Sequence, residues 1–201
     1  MTVEKIIESA KDTQERLFAL EPGDRRAQGA AGISCAVAIR SHAEKQSFRG
    51  FGGALTESSG YVLSFLPEEK REAVLHAYFC PDTAEGNGVG NRSDAPVLVD
   101  TKSGDVYFQS SFYAIGHFSR YIEPGAKRLA LSCTGFMMPA TVDGRMGNTL
   151  EACALKNPGG SIVLVISNRT EADAVYQLSL DDASPESFRA PARSIQTLII
   201  R

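Results

Sequence analysis

Asn157-Pro-Gly-Gly-Ser-Ile-Val-Leu-Val-Ile-Ser-Asn-Arg-Thr170 decides the fold. A turn built from Pro and paired glycines delivers the chain into Ser161–Ser167, a short unbroken apolar run rich in β-branched residues, and a second polar turn ends it. Such a run is a buried strand, because Val and Ile suit the pleated surface and the flanking residues favour reversal. Working outward, the same alternation of apolar run and turn recurs at residues 128–133, 149–155, 174–180 and 194–200. Five strands at this spacing predict an antiparallel β-sandwich.

Upstream the pattern is mixed. Residues 3–20 carry apolar positions that fit a weak helix or a short edge strand around Lys5-Ile-Ile7, and the two stay open. Residues 33–39 are β-prone and, after a polar stretch, residues 45–49 complete what reads as a hairpin. Gly50-Phe-Gly-Gly-Ala-Leu-Thr56 is short, apolar and glycine-rich, as a buried strand with close backbone neighbours would be. Residues 57–65 read as a helix. A second begins after Pro67, with Glu68 and Glu69 at the positive end of its dipole and with Ala73, Val74, Ala77 and Tyr78 on one face, and Cys80-Pro81 stops it. Residues 82–94 are a loop by composition. Residues 97–99 and 105–108 flank a hairpin turn, and Ser110 is placed to cap a helix on which Phe112, Ile115, Ser119 and Ile122 share a face. That helix is apolar nearly all round, so it expects to be enclosed.

Composition narrows the function classes. With 201 residues, 43% hydrophobic and 22% charged, the chain has the balance of an ordinary folded globule. A net charge of -3 without a Lys/Arg run leaves no footprint for a phosphate backbone, so nucleic acid is not an expected partner. No segment approaches the roughly 20 apolar residues that span a bilayer, and the first residues lack a secretory pattern, so the expected compartment is the cytoplasm. Cys35, Cys80, Cys133 and Cys153 form no C-x-x-C pair and read as packed free thiols. Neither a metal nor a cofactor is expected. Asn91-Arg-Ser93 and Asn168-Arg-Thr170 match the glycosylation triplet, which arises often by chance and carries no weight without a secretory context.

Two stretches carry a resemblance. Arg49-Gly-Phe-Gly-Gly-Ala-Leu-Thr-Glu-Ser58 with the helical run to Phe79, and Asp94-Ala-Pro-Val-Leu-Val-Asp100 through Phe112-Tyr-Ala-Ile-Gly-His-Phe-Ser-Arg-Tyr-Ile122 with the strand-rich tail, both resemble glycoside hydrolase family 30, the glucosylceramidase-like β-glycosidases. The resemblance implies a mainly β chain in three parts: residues 1–49 as the first strands of the family's side sandwich, 50–122 as a remnant of its barrel, and 123–201 as the remaining sandwich strands. Residues 50–79 are similar to the first barrel strand and helix, and 110–122 to the last barrel helix. The family's Arg-Val-Pro-like second strand is not found, and an apparent join falls near Gly88 and Val89, which implies that barrel strands two to eight are missing.

Retaining glycosidases need two carboxyl groups about 5 to 5.5 Å apart, one as nucleophile and one as acid and then base. The resemblance places the acid/base within an Asn-Glu pair, and this sequence has no Asn-Glu pair; it also has no Trp to form a platform for a sugar. The chain is therefore expected to be noncatalytic alone, with no family carboxylate to assign. Glu57 is only a weak candidate by position, at the end of the first barrel-like strand, because no second carboxylate is placed beside it and its plainer role is to open the helix and favour its dipole. Asp94, Asp100 and Asp105 read as turn formers and His117 as a packed helix histidine; His42 and His76 have no partner pattern. Ser110-Ser111 lacks a nucleophile elbow, and Gly86-Asn-Gly-Val-Gly90 lacks the Lys-Ser/Thr of a phosphate loop. Three roles follow: a noncatalytic truncated relative, a carbohydrate-binding or protein-docking module that self-associates or takes a partner through the surface the lost barrel units leave bare, and one half of a split glycosidase. The substrate, whether glucosylceramide, a glucoside, a xyloside or another β-glycoside, stays open.

Overall fold

A computed structural model of the chain describes residues 1–11, 13, 16–25, 32–51, 57–79, 96–100, 102–135, 137–139, 146–148 and 150–201. It divides into two compact units, one of Met1–Arg49 with Ile122–Arg201 and one of Gly50–Tyr121.

In the first unit the strands are β1 (Val3–Ala10), β2 (Phe18–Leu20) and β3 (Ile33–Ser47), with a 3-10 turn at Pro22–Arg25 between β2 and β3. In the second, α1 (Glu57–Ser64) and α2 (Glu68–Phe79) precede a hairpin of β4 (Val97–Val99) and β5 (Val106–Phe108), and α3 (Ser110–Ser119) follows. The chain then returns to the first unit through β6 (Lys127–Gly135), β7 (Met137–Pro139), β8 (Met146–Asn148), β9 (Leu150–Lys156), β10 (Ile162–Asn168), β11 (Ala174–Leu180), β12 (Glu186–Ala190) and β13 (Ser194–Ile200).

Nine strands share one hydrogen-bonded order, β12-β11-β3-β6-β9-β10-β13-β1-β2, while β7 and β8 pair with each other. Laid flat, β11 and β13 would sit five strands and about 24 Å apart at the usual strand spacing. Yet the Tyr176 hydroxyl on β11 donates to Gln196 Oε1 on β13 at 3.3 Å. The sheet has folded onto itself, and its two layers close over one core in which Tyr176, Leu178 and Phe188 meet Ile6, Leu164, Leu198 and Ile200. Tyr176 and Phe188 stack with ring centroids 5.8 Å apart. This is the expected mainly β, sandwich-type architecture.

The five strands read from the tail are all present, and the structure adds others. The N-terminal segment, left between helix and edge strand, is a strand, and an interior one: β1 lies between β13 and β2. Residues 33–49 do not make a hairpin. Residues 33–47 form the single long strand β3, which stays antiparallel to β6 from Cys35 opposite Gly135 to Ser47 opposite Lys127, with register shifts between Arg40 and Glu44 and between Glu44 and Ser47. The polar stretch Arg40-Ser-His-Ala-Glu-Lys-Gln-Ser47 holds no Gly, Pro, Asn or Asp to reverse the chain, so its extra residues bulge instead. The antiparallel expectation also fails at one pair of the large sheet: β3 and β11 run parallel, Cys35 beside Tyr176 and Ile39 beside Leu180. No hairpin joins these two strands, so connectivity does not impose an antiparallel direction.

The turn at Asn157-Pro-Gly-Gly160 closes as its residues demand. Asn157 N–H donates to Ser161 O at 2.8 Å, Gly160 N–H donates to Asn157 O at 2.9 Å, and Gly160 takes φ +89°, a conformation costly for any side chain. Asn157 Oδ1 also accepts from Glu123 N–H at 3.1 Å, which ties this turn to the segment that enters β6.

In the second unit both helices after residue 56 are where the sequence puts them. Val74 is buried on α2 but Ala73 is exposed, so the expected apolar face is narrower; the side chains of Ala77 and Tyr78, and Cys80-Pro81, lie outside the described residues. Ser110 does not cap α3. Gln109 occupies the cap position with extended backbone and no side-chain cap bond, and Ser110 is the first helical residue. Phe112, Gly116 and His117 are buried on α3, and Phe112 packs with Val97, Val106 and Tyr113.

Candidate functional site

Glu57 opens α1, in the first turn, with its side chain exposed. Of the strand expected to carry it, residues 50–56, Gly50 and Phe51 are not in a strand and residues 52–56 lie outside the described residues, as do Asp94, the Gly86–Gly90 loop and the join near Gly88 and Val89. Among the described residues no group of three or more His, Cys, Asp or Glu side chains is placed to hold a metal ion.

Asp100 and Asp105 work together as a turn. Asp100 Oδ1 accepts from Lys102 N–H at 2.8 Å and Ser103 N–H at 3.3 Å, while Asp100 N–H donates to Asp105 O at 2.9 Å. The two backbone donors, Lys102 first, hold the Asp100 carboxyl below the usual carboxylate range. Gly104 turns the chain with φ +72°, and Lys70 of α2 donates to its carbonyl at 2.6 Å. The aspartates are thereby committed to the reversal between β4 and β5, with Lys70 Nζ also 3.8 Å from Asp105 Oδ1.

His117 is buried in the middle of α3, and His76 is exposed near the end of α2. His42 does have a neighbour that its sequence position hides: its Nε2 lies 3.9 Å from Asp181 Oδ2, across the parallel β3–β11 pair. Asp181 sits at φ +50°, accepts from Ser41 N–H at 2.8 Å and from the Ser41 hydroxyl at 2.5 Å, and donates its own N–H to Ile39 O at 2.8 Å. Serine, histidine and aspartate thus meet, but not in relay order. The serine proton is directed at the carboxylate and the imidazole lies largely in solvent, so no base is aimed at Ser41 Oγ. The cluster fastens the end of β11 to β3. The Ser41 hydroxyl, followed by its N–H, holds Asp181 below its ordinary pKa.

The polar groups best enclosed by the fold are in the sandwich. Gln196 Nε2 donates to Glu8 Oε2 at 2.7 Å and to Arg189 O at 3.0 Å, and its Oε1 accepts from Tyr176, so β1, β11, β12 and β13 meet at one side chain. Burial, then the Glu8 charge, drives the Tyr176 hydroxyl far above the tyrosine range, so it stays a donor. At the end of β10, Asn168 is buried, with Nδ2 2.9 Å from Ala172 O, 3.1 Å from Ala190 O and 2.8 Å from Pro191 O. Its Oδ1 accepts from Thr170 N–H at 3.0 Å and the Thr170 hydroxyl at 2.8 Å. Sequence reading found neither hub; only the buried-polar pattern at Asn168 and Gln196, each ending or interrupting an apolar run, hints at them.

Cys35, Cys133 and Cys153 are free, Cys35 fully buried and the others half-buried. Cys133 donates to Leu150 O at 3.3 Å, and burial, reinforced by Cys35 and Glu151, pushes its thiol up to about 11. No helix among the described residues is long and apolar enough to cross a membrane.

Residues 125–198, from the entry to β6 almost to the end of β13, match the glycosyl hydrolase family 30 beta sandwich domain. The chain is 34% identical to the lysosomal acid glucosylceramidase of Mus musculus over 115 residues, covering 57% of this chain and 20% of that protein. It is 35% identical to putative glucosylceramidase 1 of Caenorhabditis elegans over 118 residues, covering 56% and 21%. It thus spans about a fifth of the length of these curated relatives. The solved structure of SrfJ from Salmonella typhimurium is 30% identical and covers 56% of this chain and 22% of that one, with a TM-score of 0.45, so the superposition is only partial. Residues 125–198 are thus the β-sandwich domain of glycosyl hydrolase family 30, the part of the chain over which the family is shown.

Proposed function

We propose that this chain is a truncated, glucosylceramidase-like member of the family that does not hydrolyse glycosides by itself. The observation that carries the reading is the disparity between its two units. The matched domain is the sandwich, whereas the other unit spans only Gly50–Tyr121, against about 250 residues for an eight-unit barrel. The absence of an Asn-Glu pair from the sequence supports the same reading, since the resemblance places the acid/base in such a pair. Glu57, an exposed helix-opening residue, is the only carboxylate left with a positional argument. Incubating the purified chain with an aryl β-glucoside tests the proposal: release of the phenol at the buffer rate, unchanged in Glu57→Gln, is expected. Turnover that Glu57→Gln abolishes overturns it.

A second reading rests on a separate observation. Phe51, Tyr61, Phe65, Leu98, Tyr107 and Phe108, all in the Gly50–Tyr121 unit, are exposed. Tyr61 and Phe65 meet edge to face at 4.8 Å on α1, and Leu98 and Tyr107 face each other across the β4–β5 hairpin. Exposed aromatic surface of this kind suits a docking role, whether to a second copy, to a polypeptide carrying the remaining barrel units, or to a β-glycoside. Light scattering across a concentration series checks the first of these, with a concentration-dependent mass expected. A constant monomer mass, together with a melting temperature indifferent to β-linked saccharides, removes self-association and sugar binding.

A further inference from the structure

We propose that this chain is a two-fold dimer in solution, in which the Leu98–Tyr107 face of the β4–β5 hairpin and the Tyr61–Phe65 pair of α1 meet their counterparts in a second copy. The proposal rests on the docking reading given above and commits it to one occupant. What carries it is a mismatch between pattern and exposure. An antiparallel strand with one wet face alternates apolar and polar residues, whereas a strand covered on both faces is apolar throughout. β10 is such a continuous run, and Ile162 to Ile166 are all buried. β4 and β5, Val97-Leu-Val99 and Val106-Tyr-Phe108, are likewise apolar at every position. Val97 and Val106 pack with Phe112 and Tyr113, but the opposite face, where Leu98 stands across from Tyr107, is open, with Tyr107 52% exposed. The corner between α1 and α2 reaches the same hairpin. Pro67 lies 4.0 Å from the point where a side chain on Gly104 would begin, and Lys70 donates to Gly104 O at 2.6 Å. Just before that corner, Phe65 and Tyr61 are exposed, Tyr61 at 66%.

The size of the open surface selects a second copy. With about 150–250 Å² on a whole aromatic side chain, the exposed parts of Tyr61, Phe65, Leu98, Tyr107 and Phe108 amount to on the order of 400–500 Å². A standard interface takes about 800 Å² from each partner, a little over half of it apolar, so the patch is the apolar share of one such half. A polypeptide supplying the remaining barrel units would need a far larger apolar surface, and α2 does not extend it: Glu68, Glu69 and Glu72 are exposed there. None of the five patch residues is charged, so a two-fold axis through them opposes no like charges.

Sedimentation equilibrium of the full chain over a concentration series tests the dimer. The mass should rise from 21.6 kDa towards twice that value. Leu98→Lys combined with Tyr107→Lys should hold it at the monomer mass with unchanged circular dichroism. Tyr61→Lys, on a helix and outside the hairpin, should independently weaken the dimer at least about tenfold. A monomer at every concentration overturns the proposal, as does a dimer indifferent to both variants. A hydrophobic dye separates the proposal from the reading beneath it. A monomer that binds the dye, and loses that binding in the variants, keeps the docking surface and rejects the second copy; a monomer that binds none rejects both.

Discussion

Gln196 Nε2 donates to Glu8 Oε2 at 2.7 Å, joining residues 188 positions apart inside the sandwich. The same amide binds Arg189 O and receives Tyr176, so one neutral side chain links strands from both layers around a buried carboxylate. In a low-dielectric interior such bonds matter chiefly through the cost of losing them.

Gln196→Leu should therefore destabilise more than its apolar character suggests. It removes a charge-assisted bond to Glu8 and leaves Arg189 O without this donor, a loss of about 2–4 kcal/mol. At about 2–4 °C per kcal/mol for a chain of this size, the melting temperature should fall by roughly 4–16 °C. Tyr176→Phe keeps the ring stacked on Phe188 and loses only the long 3.3 Å contact, so its cost should be about 1 kcal/mol. Urea melts of both variants check the ordering; equal effects would mean that the hub contributes nothing beyond shape.

Asn168→Asp is nearly isosteric but replaces an amide donor by an oxygen facing three carbonyls. A loss of at least about 3 kcal/mol is expected, against about 1 kcal/mol for Thr170→Val, which keeps the backbone bond to Asn168 Oδ1. Denaturant midpoints of the two variants give the comparison.

The Cys133 thiol, raised to about 11 by burial first and by Cys35 and Glu151 after it, should resist alkylation in the folded chain. Iodoacetamide at pH 8 should label Cys133 much more slowly than in urea. Because the folded pKa is raised, the contribution to stability is complete below the unfolded thiol value of about 8.5 and is lost as pH rises from there towards 11. Cys133→Ala should flatten that part of the stability profile.

Asp181 titrates in the opposite sense. Its pKa is lowered from 3.8 by the Ser41 hydroxyl and N–H, so its contribution is present above 3.8 and disappears as the pH falls below it. Asp181→Asn, which tolerates the positive φ and keeps an acceptor for Ser41 N–H, should reduce the acid sensitivity of the melt below pH 3.8 while changing the neutral melting temperature little.

What was legible in the sequence follows the physics of each element. β10 reads plainly because Val163 and Val165 are buried as well as Ile162, Leu164 and Ile166, and a strand covered on both faces is a continuous apolar run. Glu186–Ala190 did not read as a strand: Phe188 and Ala190 point into the core, but Glu186, Ser187 and Arg189 between and beside them dominate a five-residue segment. The long β3 was misread because a bulged polar strand and a polar turn share a composition. Glu57, by contrast, is as the sequence described it, an acid opening a helix, without thereby acquiring a catalytic role. The Gln196 and Asp181 clusters, and the reach of Asn168 to Ala190 and Pro191, were hidden for a common reason. Their partners lie in other strands or turns, and a one-dimensional pattern carries no record of which turn a side chain will meet.

Thr2 and Arg201 exchange backbone bonds of 2.8 and 2.9 Å, and β13 is held between β10 and β1. A ribosome delivers residues 3–10 about 190 codons before residues 194–200. β1 must therefore wait, unpaired along that edge, while the hairpin of β9 and β10 can already form, and the seam between β1 and β13 is among the slowest parts of the sheet to close.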